Sequence, residues 1–325
     1  MNFKHRYVEY KSRVEDYLKT FIEESTPRTL YEPAKYILAG GGKRIRPLLV
    51  LFSCEAVGGK PLDALHASAA VEILHNFTLV HDDIMDHARS RRGRATIHVK
   101  WDSNVALLAG DALLALAYRA LLKTNAPRIQ EISRVFTEAV VEVCEGQAYD
   151  KEFETRKRVQ VDEYLLMIQK KTGKMVSVAT EIGALIGNAN PKYIEALRRF
   201  GEHTGRAFQI QDDLLDMVAD QKEFGKTIGG DIVEGKKTYL LLAALRRAKG
   251  ADRKLLLALA NNGGVSRKKI KEFRRIYEES GAIASAREHI EEDIAKAKEE
   301  LRALPSSRAQ SMLMWFTDML LNRTY

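Results

Sequence analysis

An all-α fold is what this sequence predicts, and three observations predict it. Apolar residues recur at spacings of three and four almost throughout, with no convincing run of the alternation that marks a half-buried strand. Only seven prolines interrupt 325 residues, while Ala, Leu, Glu, Lys and Arg, all favourable in helices, abound. The punctuation is regular: Pro27, the run Gly40 to Gly42, Gly58–Gly59, Pro127, Pro191, Gly229–Gly230, Gly263–Gly264 and Pro305 divide the chain into ten or more helical segments with short links. Long helices with short links imply antiparallel neighbours, a bundle whose facing helices line a ligand cavity. The length suits one domain over residues 1–325 with a substantial core.

Apolar residues make up 45% of the chain and charged residues 30%, the proportions of a soluble globular protein. The first residues mix both charges and lack the apolar stretch of a secretory signal. Cys54 and Cys144 lie in apolar helical segments, so they are expected as buried thiols in a reducing compartment, with the cytosol as the location. The most apolar segment, Val105 to Leu122, contains Asp111 and Arg119 and is expected to be a buried helix, not a membrane span.

The net charge of +8 admits nucleic acid, a membrane surface or a polyanionic small ligand. Basic residues gather in short loops, Lys43, Arg44 and Arg46, then Arg89, Arg91, Arg92 and Arg94, beside acidic clusters and without interleaved aromatics. That placement favours a compact phosphate-bearing ligand and disfavours nucleic acid.

The acidic clusters are DDIMD at 82–86 and DDLLD at 212–216, each at the end of a strongly apolar helical segment beginning near Phe77 and Phe208. In a helix, positions i and i+4 lie one turn apart on one face, so Asp82 and Asp86 share a face, as do Asp212 and Asp216. Paired like charges repel unless a cation sits between them. Magnesium meets that need, since it takes oxygen ligands and is commonly held by one or two carboxylates together with substrate phosphates. One such cluster is an ordinary acidic helix face; two of them, each beside basic loops, point to metal-bridged phosphate. The second is followed by FGKTIGGDIVEGKKT, polar and glycine-containing, which reads as an active-site loop. Lys43 and Arg46, then Arg91 and Arg92, have no evident helix partner and suit phosphate oxygens.

The segments GGGKRIRPLL, LVHDDIMDHARSRRG, KTG, FQIQDDLLD and GGDIVEGKKT resemble, in order and spacing, the motifs of the trans-isoprenyl diphosphate synthases, the polyprenyl synthetase family, from about residue 36 to 240. That resemblance implies antiparallel helices around a deep cavity, usually in a homodimer, with about three magnesium ions bridging an allylic diphosphate to both clusters. By position it implies that Lys43, Arg46, His75 and Arg92 bind isopentenyl diphosphate, and that Arg91, Lys171, Lys226 and Lys236 hold the allylic diphosphate. Asp82, Asp86 and Asp212 would ligate metal, with Asp83, Asp213 and Asp216 supporting them or acting through water. Thr172 and Gln209 would lie near the reacting carbons, where their oxygens stabilise positive charge. Alone, His75 reads as an ordinary buried histidine.

Two other readings share this sequence. A terpene cyclase also ionises an allylic diphosphate, but usually replaces the second cluster with a mixed Asn, Ser and Glu motif, and here DDLLD is intact. A non-catalytic partner subunit would be expected to have lost aspartates or phosphate-binding cations, and none is missing. Product length rests on Phe77 and Thr78, just before the first cluster. The rise of about 1.5 Å per residue puts Phe77 roughly 7.5 Å from Asp82 along the helix, deep enough to block a growing chain. The helical wheel separates the two by about 140°, which leaves an ordinary core phenylalanine open. Resemblance favours a geranylgeranyl diphosphate synthase, because farnesyl diphosphate synthases of one class carry two adjacent aromatics there and Thr78 is small.

Overall fold

The computed structural model describes residues 3–22, 26–218, 229–261 and 263–321. The helices are α1 (Phe3–Phe21), α2 (Arg28–Leu38), α3 (Ile45–Ala56), α4 (Leu65–Met85), α5 (Ile97–Lys100), α6 (Ser103–Leu121), α7 (Ile129–Thr155), α8 (Val161–Ile168), α9 (Lys174–Ile186) and α10 (Pro191–Val218). After these come α11 (Gly230–Glu234), α12 (Tyr239–Arg247), α13 (Gly250–Asn261), α14 (Ile270–Glu279), α15 (Ala282–Arg302) and α16 (Arg308–Leu321). The fold is all-α, as the periodicity predicts, and proline and glycine fall where expected: Pro191 opens α10, where its missing N–H costs nothing, and Gly40 to Gly42 separate α2 from α3.

The one strand pair among the described residues is a hairpin too short to leave a periodic signal. Strand β1 (Ser90–Arg91) pairs antiparallel with β2 (Arg94–Ala95), and Arg92 and Gly93 turn between them with φ of 52° and 73°. Two consecutive positive φ values are what a type I′ hairpin turn demands, and glycine takes the second without strain.

The residues form two compact units. The first comprises Met1–Val140, Val178–Arg198 and Ala303–Leu313. Its centre is α3, where Leu48, Leu49, Val50, Leu51 and Phe52 are all buried, and α4, which buries Ala67, Ala70, Val71, Ile73 and Leu74. Helix α6 packs along α4, and a Cβ on Gly110 would lie 2.1 Å from the Nε2 of His81, so glycine makes room for that ring. A Cβ on Gly183 would lie 2.3 Å from the Val50 carbonyl oxygen, so the start of this unit's later segment crosses α3 backbone to backbone. The expectation that the apolar 105–122 segment is buried needs correction. Helix α6 is long and apolar enough to cross a membrane, yet packs by one face, leaving Leu107 and Leu108 at 50% and 57% exposure.

The second unit comprises Val141–Ser177, Arg199–Arg302 and Met314–Tyr325. Its core draws Tyr164, Phe200, Ile210, Leu241, Phe273, Ile276 and Leu301 from five helices. Cys144 here is exposed, against expectation, because it falls on the outward stripe of α7; Cys54 in the first unit is buried, which pushes its thiol up to about 12.

Asp293 on α15 shows how this core accommodates charge. Burial pushes its proton affinity up, but hydrogen bonds from Arg206 (Nε at 2.6 Å) and His203 (Nδ1 at 3.1 Å) outweigh it and hold the carboxyl below its usual 3.8. A carboxylate depressed in the folded state contributes stability above its unfolded value and loses it as pH falls toward the folded one. Asp293→Asn should therefore cost about 1.5–3 kcal/mol at pH 7 and much less at pH 3, measured by urea unfolding. An equal cost at both pH values would remove the charge-based account.

Candidate active site

In the first unit the apolar helix α4 runs into the first acidic cluster. Asp82 is half-buried, Asp83 is buried and Asp86 is exposed at the C-cap, where its N–H donates to the Asp82 carbonyl at 2.8 Å. That bond keeps the helical pitch, so Asp86 stands one turn beyond Asp82. Asp83 turns inward and accepts from Arg91, through Nε at 2.8 Å and an Nη2 contact of 2.7 Å, in a charge-assisted pair. Arg91 is thereby fixed on β1, and the hairpin with it.

The hairpin turn carries Arg92 to the glycine run, where Nη1 donates to the Gly41 carbonyl at 2.5 Å. Gly42 adopts a φ of 132°, which L side chains rarely take, and this accounts for glycine there. Arg46, one residue into α3, places Nη1 3.3 Å from Nε2 of His75 on α4. Burial pushes the proton affinity of His75 well down, and the charges of Arg46, Arg92, Arg91 and Arg44 push it further. The ring is therefore neutral, and Nε2 accepts the Arg46 proton. Tyr7 of α1 anchors the same loop by donating to the Lys43 carbonyl at 2.8 Å, while the Lys43 side chain is exposed. The structure thus brings together Arg46, His75, Arg91 and Arg92 in an electropositive group beside an aspartate cluster.

Phe77 is buried with its ring centroid 4.8 Å from that of His81 on its own helix. Thr78 is half-buried, and its hydroxyl donates to the His75 carbonyl at 2.8 Å.

The second unit holds the rest. At Gln169–Gly173 the chain widens into a π-helical turn, a feature frequent at functional sites. Two glycines bring neighbours close to it: a Cβ on Gly146 of α7 would lie 2.4 Å from the Lys171 amide nitrogen, and one on Gly205 of α10 would lie 2.6 Å from the Gly173 Cα. The turn presents Lys171 to Asp150, Nζ to Oδ2 at 2.6 Å, and Thr172 to Gln209, hydroxyl to Oε1 at 2.9 Å. With Oε1 accepting, the Gln209 amide must offer Nε2, which donates to Asp213 at 3.1 Å. Asp213 also accepts from the Tyr164 hydroxyl, and from the Tyr239 N–H at 3.2 Å. Burial nonetheless pushes its carboxyl up to about 6, these donors opposing the shift and the Asp212 charge adding to it.

Asp212 and Asp216 are half-buried on α10. Asp216 accepts from the N–H groups of Gly230 (3.2 Å) and Asp231 (3.1 Å), so it caps the start of α11. Burial raises the Asp216 carboxyl, and burial with the charges of Asp213 and Asp216 raises that of Asp231 well above the ordinary range. Lys236 pairs with Glu234 at 2.8 Å, whereas its neighbour Lys237 is buried and donates to the carbonyls of Phe153 and Glu154. Lys226 lies outside the described residues.

Sequence reading missed Tyr164, Tyr239, Asp231 and Lys237. Tyr164 leaves one trace, since it stands seven residues before Lys171, two helical turns. The donor chemistry fits magnesium. Every titratable side chain within the two DDxxD clusters is a carboxylate, the oxygen donor that magnesium takes.

Comparison with known proteins agrees with this chemistry. The polyprenyl synthetase family profile matches residues 27–279. A short chain isoprenyl diphosphate synthase of Methanothermobacter thermautotrophicus is 39% identical over 317 residues, 97% of each chain. A geranylgeranyl diphosphate synthase of Methanosarcina mazei is 36% identical over 316 residues, 97% of this chain and 96% of its own. The crystal structure of geranylgeranyl pyrophosphate synthetase from Pyrococcus horikoshii superposes with a TM-score of 0.93 at 38% identity, covering 99% of this chain and 98% of that one.

Proposed function

We infer the reaction from one premise: this chain belongs to the polyprenyl synthetase family and is a trans-prenyltransferase. We propose that it condenses isopentenyl diphosphate with allylic diphosphates in a magnesium-dependent reaction, to give chiefly geranylgeranyl diphosphate. The observation that carries the reading is the gathering of Arg46, His75, Arg91 and Arg92 beside the first aspartate cluster, cations for phosphate next to carboxylates for metal. The names of the Methanosarcina and Pyrococcus relatives support the twenty-carbon product.

In this reading Lys43 and Arg46 grip isopentenyl diphosphate, and neutral His75 aims Arg46 by accepting its proton. Arg92 shares that pocket, while Arg91, Lys171, Lys226 and Lys236 hold the allylic diphosphate. Asp82, Asp86 and Asp212 ligate magnesium, and Asp83, Asp213 and Asp216 orient neighbouring groups or metal-bound water. Bound magnesium would neutralise the charge that builds on the departing diphosphate. The allylic carbon–oxygen bond breaks, the isopentenyl double bond attacks the resulting cation, and the released diphosphate accepts the proton that leaves. Thr172 and Gln209 turn oxygens toward that cation. Apolar helix faces exclude water, which would otherwise quench it.

Purified chain alone, given magnesium, isopentenyl diphosphate and an allylic primer, should turn over; no product would overturn the reading. Lys43→Ala and Arg46→Ala should raise KM for isopentenyl diphosphate about tenfold or more, and KM for the primer far less. Equal effects on both substrates would contradict separate pockets. Phe77→Ala should lengthen the products and Thr78→Phe shorten them toward fifteen carbons, read by chromatography of the dephosphorylated alcohols. An unchanged distribution in both folded variants would remove Phe77 as the floor of the cavity.

Residues 1–325 act as a single polyprenyl synthetase domain, a reading supported by a family match that includes residues of both units. The exposed Leu107 and Leu108 of α6 support a homodimer, and sedimentation of an active monomer would remove it. The absence of a disulfide between Cys54 and Cys144 supports a reducing, cytosolic location.

A further inference from the structure

The net charge is concentrated in one place. Between residues 246 and 275 stand eleven lysines and arginines against two acidic residues, a net +9, so the rest of the chain sums to −1 within the overall +8. The phosphate-binding cations described above are thus offset by carboxylates elsewhere, and the excess lies outside the candidate site. It belongs wholly to the second unit, on the end of α12, on α13, on the turn Arg267–Lys269 and on α14.

Most of these cations are not used within the fold. Arg247 donates to the Ser285 hydroxyl, Arg253 to the Leu245 carbonyl, Arg274 pairs with Glu278 at 3.1 Å, and Arg275 with Asp252 at 2.8 Å. The last pair joins α14 to α13 and neutralises one of the two acids. Arg246, Lys249, Lys254, Arg267, Lys268, Lys269 and Lys271 are exposed and make no ion pair with a described residue. A stretch of unpaired like charge repels itself, so it is unfavourable to the fold and favourable only to an anionic partner.

We propose that this surface docks the protein on anionic lipid headgroups. The alternative polyanion, nucleic acid, is disfavoured by composition. Single-stranded binders stack bases on exposed aromatics, and the one aromatic in the stretch, Phe273, is 1% exposed. What the stretch does expose among its cations is Leu257, 39% exposed on α13, an apolar side chain suited to the headgroup boundary. Clusters of four to eight lysines and arginines are attracted to anionic leaflets additively, and the seven unpaired cations fall in that range. The proposal does not depend on the product assigned above.

Co-sedimentation of the full chain with vesicles tests it. In about 0.1 M salt the protein should pellet with vesicles containing phosphatidylglycerol, stay in solution with pure phosphatidylcholine, and be released by about 0.5 M salt. Lys254→Glu, Lys268→Glu, Lys269→Glu and Lys271→Glu together should lower partitioning at least about a hundredfold. Prenyltransferase activity in vesicle-free buffer should remain. The pair Lys268→Glu and Lys269→Glu, confined to the exposed turn before α14, should give about a tenfold loss if the fourfold variant folds poorly. The control reverses four exposed lysines elsewhere, Lys60, Lys123, Lys157 and Lys192, and should retain binding. Equal loss in that control, equal binding to neutral vesicles, no binding at all, or capture of a thirty-nucleotide RNA in preference to anionic vesicles would each overturn the proposal.

Discussion

Asp82→Ala and Asp212→Ala are each expected to lower kcat/KM at least about a thousandfold, some 4 kcal/mol of transition-state stabilisation, while far-UV circular dichroism stays that of the parent. Both positions are half-buried at the ends of helices whose cores lie elsewhere, so the loss is chemical and not structural. Chelation should abolish turnover in the parent, and added magnesium should restore it. If the aspartates ligate the ion, the variants should also need far more magnesium to reach their residual rate. Asp83→Asn gives a contrast: its carboxylate holds Arg91, so the loss should appear with the hairpin loosened and magnesium dependence little changed. Parental rates in folded Asp82→Ala or Asp212→Ala would end the metal-ligand assignment.

The largest effect on stability is expected from Glu72→Ala. Arg44 begins α3 in a left-handed conformation, φ 51°, and is only 5% exposed. Its guanidinium donates to Glu72 Oε1 at 2.6 Å and to the Leu38 carbonyl at 2.8 Å, while Nε has no hydrogen-bond acceptor and faces Glu15 at 3.8 Å. Glu72 is buried too, on the first turns of α4, with the Asn76 amide at 3.4 Å from the same oxygen. Removing the carboxylate strands a buried cation, and such losses run to about 3–5 kcal/mol. Replacing both partners, Arg44→Met with Glu72→Leu, should restore part of it, because the pair's own net contribution is small once desolvation is counted. Urea unfolding of the two single variants and the double variant gives the coupling; a single-variant loss below about 1 kcal/mol would contradict the burial argument. Since Arg44 lies between Lys43 and Arg46, Glu72→Ala should also raise KM for isopentenyl diphosphate.

Arg44 illustrates where local reading ends. In the sequence it is one of three cations that follow a glycine run, with Lys43 and Arg46. In the fold it is consumed by a partner 28 residues away. Arg91 likewise reads as a phosphate ligand, and the structure first commits it to Asp83. Cys144 and the outer face of α6 were misjudged for a related reason: apolar neighbours in sequence say that a helix has a buried face, and packing decides which residues occupy it.

By itself the sequence determined the helical class, the segment boundaries at proline and glycine, the two acidic clusters and the motif order that identifies the family. All of these depend on separations of a few residues, where helical pitch ties spacing to geometry. Only the tertiary structure decided which partners reach three of the cluster carboxylates. Asp83 is taken by Arg91, Asp213 by Tyr164, Gln209 and Tyr239, and Asp216 by the start of α11. Those partners lie up to 49 residues away, as Tyr164 does from Asp213, and periodicity within one helix carries no information about which side chain another helix will bring against it.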